Sequence, residues 1–222
     1  MLDKTKCDEK LGKEVNKHLI KQGVQTPMLS TNISPEVKIN SIRKRFNEIM
    51  IDLGLDLSDD SLIETPKRVA KMFVNELFWG LDSKNFPKCT TVENKMHYDE
   101  MVIEKNIKVA SDCEHHFRTI WGKAHIAYIP KKKVLGLSKL NRIVEYFSKR
   151  PQIQERLTEQ IYFALEYILG TKDIAIIIEA EHFCVKQRGV EDTNSSTITS
   201  KLGGKFMKND SVRQEFIRLI KG

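Results

Sequence analysis

Apolar positions in the first third of the chain recur at helical spacing. Leu11, Val15 and Leu19 fall four apart within a Lys-rich stretch of about 30 residues, and Gly23 stops the run. Ser34-Pro35-Glu36 reads as an N-cap, a first-turn proline and a first-turn acid. Ile39, Ile42, Phe46, Ile49 and Leu53 then supply a stripe expected to be buried, with Gly54 as its stop. Thr65-Pro66 opens a further helix whose apolar face is Val69, Met72, Phe73 and Leu77. Arg68 and Lys71, three apart, share another side of it; spacing alone makes them a solvated face.

The pattern changes at Met101. Met101 to Ala110 and Ile120 to Ile129 are rich in branched and aromatic residues and predict two strands. Pro130 and Lys131-Lys132-Lys133 form a turn, and Val134 to Leu137 continues briefly. Ser138 is expected to cap a helix with Leu140, Ile143, Val144 and Phe147 on one face. Pro151 breaks that helix, and a second follows with Ile153, Leu157, Ile161, Leu165 and Ile168 before Gly170. Ile174 to Ile178 predicts a buried strand, the polar stretch 193–200 a strand or a loop, and Asp210 starts a short last helix with Val212, Phe216 and Ile220.

Two consecutive helices between two pairs of strands favour an α+β layer, an antiparallel sheet with both helices on one face; a doubly wound parallel sheet needs helices alternating with strands. The expected organisation is a helical region over residues 1–98 followed by an α+β domain over 99–222, without internal repeats.

Composition narrows the function classes. Lysine and arginine exceed aspartate and glutamate by 37 − 30 = 7, which suits an anionic partner without separating nucleic acid from nucleotide. Among 222 residues no apolar run approaches the roughly 20 a bilayer helix needs. The start, Met1-Leu2-Asp3-Lys4-Thr5-Lys6, has no apolar core of a secretory signal. Cys7, Cys89, Cys113 and Cys184 lie far apart, which speaks against a disulfide framework and for free thiols in a reducing cytoplasm.

Cys113-Glu114-His115-His116 is the densest chemical cluster. Cys113 and His116, three apart, can reach one ion from a turn, and thiolate and imidazole are donors zinc prefers. Glu181-His182-Phe183-Cys184 follows the Ile-rich strand; in an extended segment His182 and Cys184 point the same way. Cys113, His116 and Cys184 thus offer a Cys-Cys-His set whose fourth position is open to water, the arrangement of catalytic zinc. His115 and His182 would then be spare imidazoles suited to moving protons. A closed structural site with histidine as fourth ligand, or buried thiols without metal, fits the same residues. Ser138, Lys139 and Arg142 at a helix start, with Arg188 before Gly189, form a basic constellation suited to phosphate, and no Walker A or Gly-rich dinucleotide loop is present. Gln154-Glu155, just after Pro151, reads first as an acid favouring a helix N-terminus.

Together these residues resemble the GTP cyclohydrolase I family. The segments that carry the resemblance are CEHHF (113–117), GKAHIAYIP (122–130), GLSKLNRIVEYFSKRPQIQERLT (136–158), EAEHFCVKQRG (179–189) and SSTITSKLGG (195–204), with LDLSDDSLIETPKRVAKMF (55–73) extending it through the N-terminal region. The resemblance implies the tunnelling fold, a ββααββ unit whose sheets join across subunits, in a homodecamer of two pentamers. It implies Zn2+ held by Cys113, His116 and Cys184, proton handling by His115 and His182, and guanine recognition by Glu155 next to Gln154. Ser138, Lys139, Arg142 and Arg188 match the triphosphate side. Lys71, with Arg68, matches a contribution from a neighbouring subunit. The implied activity is hydrolysis of GTP at guanine C8 to formate and 7,8-dihydroneopterin triphosphate, the first step of tetrahydrofolate and pterin synthesis. A sibling tunnelling-fold enzyme, the nitrile-reducing queuosine enzyme, uses a nucleophilic cysteine and NADPH without this zinc trio. A nucleic-acid binder would fit the charge, yet no aromatic-interleaved basic platform is present.

Overall fold

A computed structural model of the chain describes residues 2–29 and 33–221. Helix α1 (Glu9–Lys21) starts where the Asp8 carboxylate accepts the Leu11 N–H at 3.0 Å, and the chain turns away at Gly23, φ +72°. Val15 and Leu19 are buried, as their spacing predicts. Helix α2 (Pro35–Asp52) is capped by Ser34, whose hydroxyl accepts the Val37 N–H, and it ends before Gly54 at φ +78°. Its apolar stripe is not buried as expected. Ile39, Ile42 and Phe46 are half-buried, Ile49 and Leu53 are 48% and 71% exposed, and Met50 is the buried residue. The reason lies in its neighbours: α2 packs on helix α3 (Thr65–Met72) and the π-helical turn Phe73–Leu77 that continues it, and one helix against another covers a narrow line only. In α3, likewise, Pro66 and Ala70 are buried, while Val69, Met72, Phe73 and Leu77 are half-buried.

The sheet carries the C-terminal half. Strands β2 (Val102–Cys113), β3 (Thr119–Tyr128), β6 (Ile174–His182) and β7 (Thr197–Leu202) pair antiparallel in that order, and the two-residue β5 (Pro151–Gln152) adds parallel to the end of β2. The polar stretch 193–200 therefore resolves into a strand from Thr197 onward. A small ribbon pairs β1 (Thr91–Glu93) with β4 (Lys133–Leu135). Between the two strand pairs lie α4 (Leu137–Ser148) and α5 (Gln154–Leu169). Their predicted inner faces are buried: Leu140, Ile143, Val144, Phe147, Leu157, Ile161 and Leu165 are fully covered. They form one core with Ile120, Ala124, Ile126 and Tyr128, which alternate along a single face of β3. Ser138 does not cap α4. Gly136 is the N-cap and the helix begins at Leu137, because the extended backbone at Gly136 lets its carbonyl accept the Lys139 N–H.

On the opposite face, α7 (Gly204–Lys208) and α8 (Asp210–Lys221) cover one end of the sheet through Phe206 and Phe216, which pack on Ala127 and Ala175. The short α6 (Phe183–Lys186) follows β6 directly. Buried polar groups tie the N-terminal segment to this unit. Gln160 donates to the Val24 carbonyl at 2.8 Å, and the fully buried Arg150 donates to the Gly80 carbonyl at 2.8 Å with its guanidinium over the Tyr146 and Phe147 rings. No helix among the described residues is long and apolar enough to cross a membrane.

One close approach is testable. Gly122 on β3 faces Ala180 on β6, and a Cβ there would sit 2.1 Å from the Glu179 carbonyl oxygen. Gly122→Ala is expected to destabilise the protein by about 2–3 kcal/mol by forcing two strands apart, read as a lowered urea midpoint with an unchanged m-value.

Candidate active site

The hairpin turn between β2 and β3 and the junction between β6 and α6 meet at one end of the sheet, where Ile120 pairs with His182. Backbone bonds fix the turn: Cys113 N–H donates to Arg118 O at 2.8 Å, Phe117 N–H to Cys113 O at 2.9 Å, and Glu114 N–H to Gln152 O at 3.0 Å. Phe117 takes φ +49°, a conformation a bulky residue adopts at a cost of about 1 kcal/mol or more. Its ring is held against Phe73 and Phe78, at 5.9 and 5.3 Å between centroids. The end of α3 is thereby joined to this turn.

Cys113, His116 and Cys184 converge here, their ligand atoms all within 4.8 Å of one another. Cys113 is buried at the end of β2, His116 is exposed in the turn, and Cys184 sits half-buried in α6. The route to this convergence differs from the expectation. His182 is the last residue of β6, whereas Cys184 belongs to the helical turn that follows, so the pair does not share one extended segment. Burial pushes the Cys184 thiol up, and the neighbouring Cys113 sulfur adds to the shift, since two thiolates side by side repel unless a cation lies between them. Two thiols and an imidazole on fixed backbone are a donor set that fits Zn2+.

The other predicted residues divide into two groups. Arg188 Nη1 donates to His116 Nε2 at 2.9 Å, which puts this guanidinium beside the trio. His115 is exposed in the turn, its Nδ1 3.7 Å from Cys113 Sγ and its Nε2 3.9 Å from a Glu114 carboxylate oxygen. Glu155 is exposed in the first turn of α5, near enough to His182 to favour its charged form, although burial is the larger effect and lowers the His182 pKa overall. Gln154 is 1% exposed and hydrogen-bonded to His182 at 2.7 Å. Arg68 and Lys71 are exposed on α3, upstream of Phe73.

Ser138, Lys139 and Arg142 are not brought to this centre. They lie at the start of α4, at the end of the sheet where the Tyr128 hydroxyl meets Leu135. From Ile120 to Tyr128 the strand runs about 27 Å at 3.4 Å per residue. Arg142 lines a crevice there with Asp3, Lys6, Cys7 and Glu145.

Sequence reasoning missed Glu114 and Arg156. The carboxylate and guanidinium form a two-pronged pair that pins the turn to α5. Their separation of 42 positions carries no local signal. Thr158 and Thr199, behind Gln154, were missed for the same reason.

The family model for GTP cyclohydrolase I matches residues 42–221. GTP cyclohydrolase 1 of Edwardsiella ictaluri is 53% identical over 207 residues, 93% of this chain and 94% of that protein. The enzyme of the same name from Aeromonas salmonicida is 55% identical over 201 residues, 90% and 92% of the two chains, and that of Yersinia enterocolitica is 51% identical over 207, 93% and 94%. With the family match running through the whole ββααββ unit, the architecture is the tunnelling fold and the chain belongs to the GTP cyclohydrolase I family.

Proposed function

We propose that this protein is a zinc-dependent GTP cyclohydrolase I, converting GTP and water to formate and 7,8-dihydroneopterin triphosphate at the start of tetrahydrofolate synthesis in the cytoplasm. The observation that carries the reading is the convergence of Cys113, His116 and Cys184 within 4.8 Å in a chain of this family. Cys113, His116 and Cys184 would hold the zinc, which would supply Lewis acidity and activate water at neutral pH. Incubation of the purified protein with GTP, followed by assays for formate and for a fluorescent pterin after oxidation, tests it; unchanged GTP in zinc-replete protein refutes it.

The remaining residues take roles that their chemistry supports. Glu155 accepts the guanine N1–H and exocyclic N–H together, a donor pair adenine lacks, so ATP should be strongly rejected. His115 protonates N7 as the imidazole ring of the substrate opens. His182 serves as acid and base while the ribose opens and rearranges. Arg188 of one chain, with Ser138, Lys139, Arg142, Lys71 and Arg68 contributed by neighbouring chains, holds the triphosphate. In this division residues 99–222 carry the chemistry and 1–98 supply the helical region with Arg68 and Lys71. His115→Ala is expected to keep its zinc and bind GTP while turnover falls by about two orders of magnitude or more, the usual range for losing a proton donor. Zinc lost along with activity would make His115 a ligand instead.

Two features favour a homo-oligomer, which we take to be a decamer of two pentamers. Strand β7 is an edge strand of the sheet, and such an edge invites a strand from another copy. The α2 helix leaves Ile49, Ile51 and Leu53 exposed, apolar side chains that another copy would cover.

A further inference from the structure

Gln154 opens α5 against the β6–β7 pair, and its buried side chain meets four neighbouring polar atoms, two of them backbone carbonyls. Its amide nitrogen lies 3.1 Å from Ile178 O, 3.0 Å from Thr197 O and 3.1 Å from Thr199 Oγ1. Two of these are backbone carbonyls, which only accept. Turned by 180°, the amide would bury its oxygen against both carbonyls, losing two bonds and gaining repulsion. The oxygen therefore points the other way, 2.7 Å from His182 Nε2. An amide oxygen also only accepts, so His182 Nε2 must donate.

Behind the amide the hydroxyls agree. Thr158 donates to the Gln154 backbone carbonyl at 2.9 Å. With that proton spent, Thr158 Oγ1 accepts from Thr199 Oγ1 at 2.7 Å, and Thr199 Oγ1 joins the two carbonyls as an acceptor for the two N–H groups of the Gln154 amide. With the Thr199 proton directed at Thr158, none is left to donate back to the Gln154 amide, so all three atoms around its nitrogen stand as acceptors. The backbone supplies the positions: Gln154 and Thr158 stand one turn apart on α5, and Thr199 pairs with Ile178 across β6 and β7. His182 Nδ1, by contrast, has no hydrogen-bond partner among the described residues.

We propose that Gln154 is a positioning residue that holds neutral His182 as the Nε2–H tautomer, backed by Thr199 and Thr158, so that Nδ1 is the nitrogen that takes a proton from the bound substrate and returns it. The proposal rests on the assignment of His182 to proton handling, and it moves Gln154 from contact with guanine to a place behind that histidine. The Gln154 N–H groups are spent on the protein, so a guanine contact would have to break a buried bond to gain an exposed one.

Neutron diffraction from deuterium-exchanged crystals of the full-length protein, grown above pH 8 so that the ring is neutral, reads the tautomer directly. Deuterium on His182 Nε2 with Nδ1 bare is the expected result; deuterium on Nδ1 overturns the proposal. Gln154→Met supplies the kinetic arm, since methionine fills the volume without offering His182 Nε2 a strong hydrogen-bond acceptor. With zinc content and melting temperature checked, kcat is expected to fall about tenfold or more while KM for GTP stays within about twofold. A rise in KM at wild-type kcat would return Gln154 to substrate binding, and wild-type values for both would remove its role. Wild-type protein that leaves GTP unchanged would sink the cyclohydrolase reading while the nuclear map still decides the tautomer.

Discussion

Cys184→Ser is expected to strip zinc from the purified protein and to lower GTP turnover by about three orders of magnitude or more, because the metal's several kcal/mol of transition-state stabilisation goes with it. Cys184 is one of three donors within 4.8 Å, so its loss leaves Cys113 and His116, too few to hold the ion against dilution. The fold should survive. Cys184 lies half-buried in the four-residue α6 and packs at the margin of the main core, and a hydroxyl replaces the sulfur with little change in shape. Elemental analysis and thermal unfolding of the variant, beside wild type, separate the two effects. Full zinc occupancy with retained activity would remove Cys184 from the site, and a collapse of the melting temperature would make its role structural.

The sequence made the core of the catalytic half legible, and the reason is geometric. Leu140, Ile143, Val144 and Phe147 in α4, and Leu157, Ile161 and Leu165 in α5, meet a sheet of the same chain, so helical spacing translates directly into burial. The stripe on α2 has the same spacing and a different fate, since among the described residues it packs mainly on α3 and the turn that follows rather than on the sheet. Periodicity records that a face seeks cover; it does not say whether the cover comes from the same molecule. At the site, Cys113 and His116 were readable because one turn of backbone fixes their spacing. Cys184 was readable by donor type, although α6 rather than an extended segment delivers it. The pairing of Glu114 with Arg156 and the chain from His182 through Gln154 to Thr199 depend on tertiary contacts between distant positions, for which no local pattern exists.

The same distinction governs the phosphate side. Arg188 touches His116, while Lys139 starts α4 at the other end of a strand that spans about 27 Å, farther than one triphosphate can bridge. If both cations hold the same triphosphate, they belong to different chains. Lys139→Ala and Arg188→Ala, each nearly inactive alone, should then complement when dissociated and reassembled together. With random mixing across a repeated heterologous interface, about one quarter of the sites pair an intact Lys139 with an intact Arg188, and turnover should approach that share of wild type. Lys71→Ala with Arg188→Ala makes a second pairing. The Phe73 and Phe78 contacts to Phe117 tie the end of α3 to its own chain's turn, while the family resemblance gives the lysine to a neighbour's phosphate, so recovery in this pairing favours the neighbour. Absence of recovery in the Lys139 pairing, with mixed oligomers verified by mass, would return the whole phosphate site to one chain and require α4 to move a long way toward Cys113.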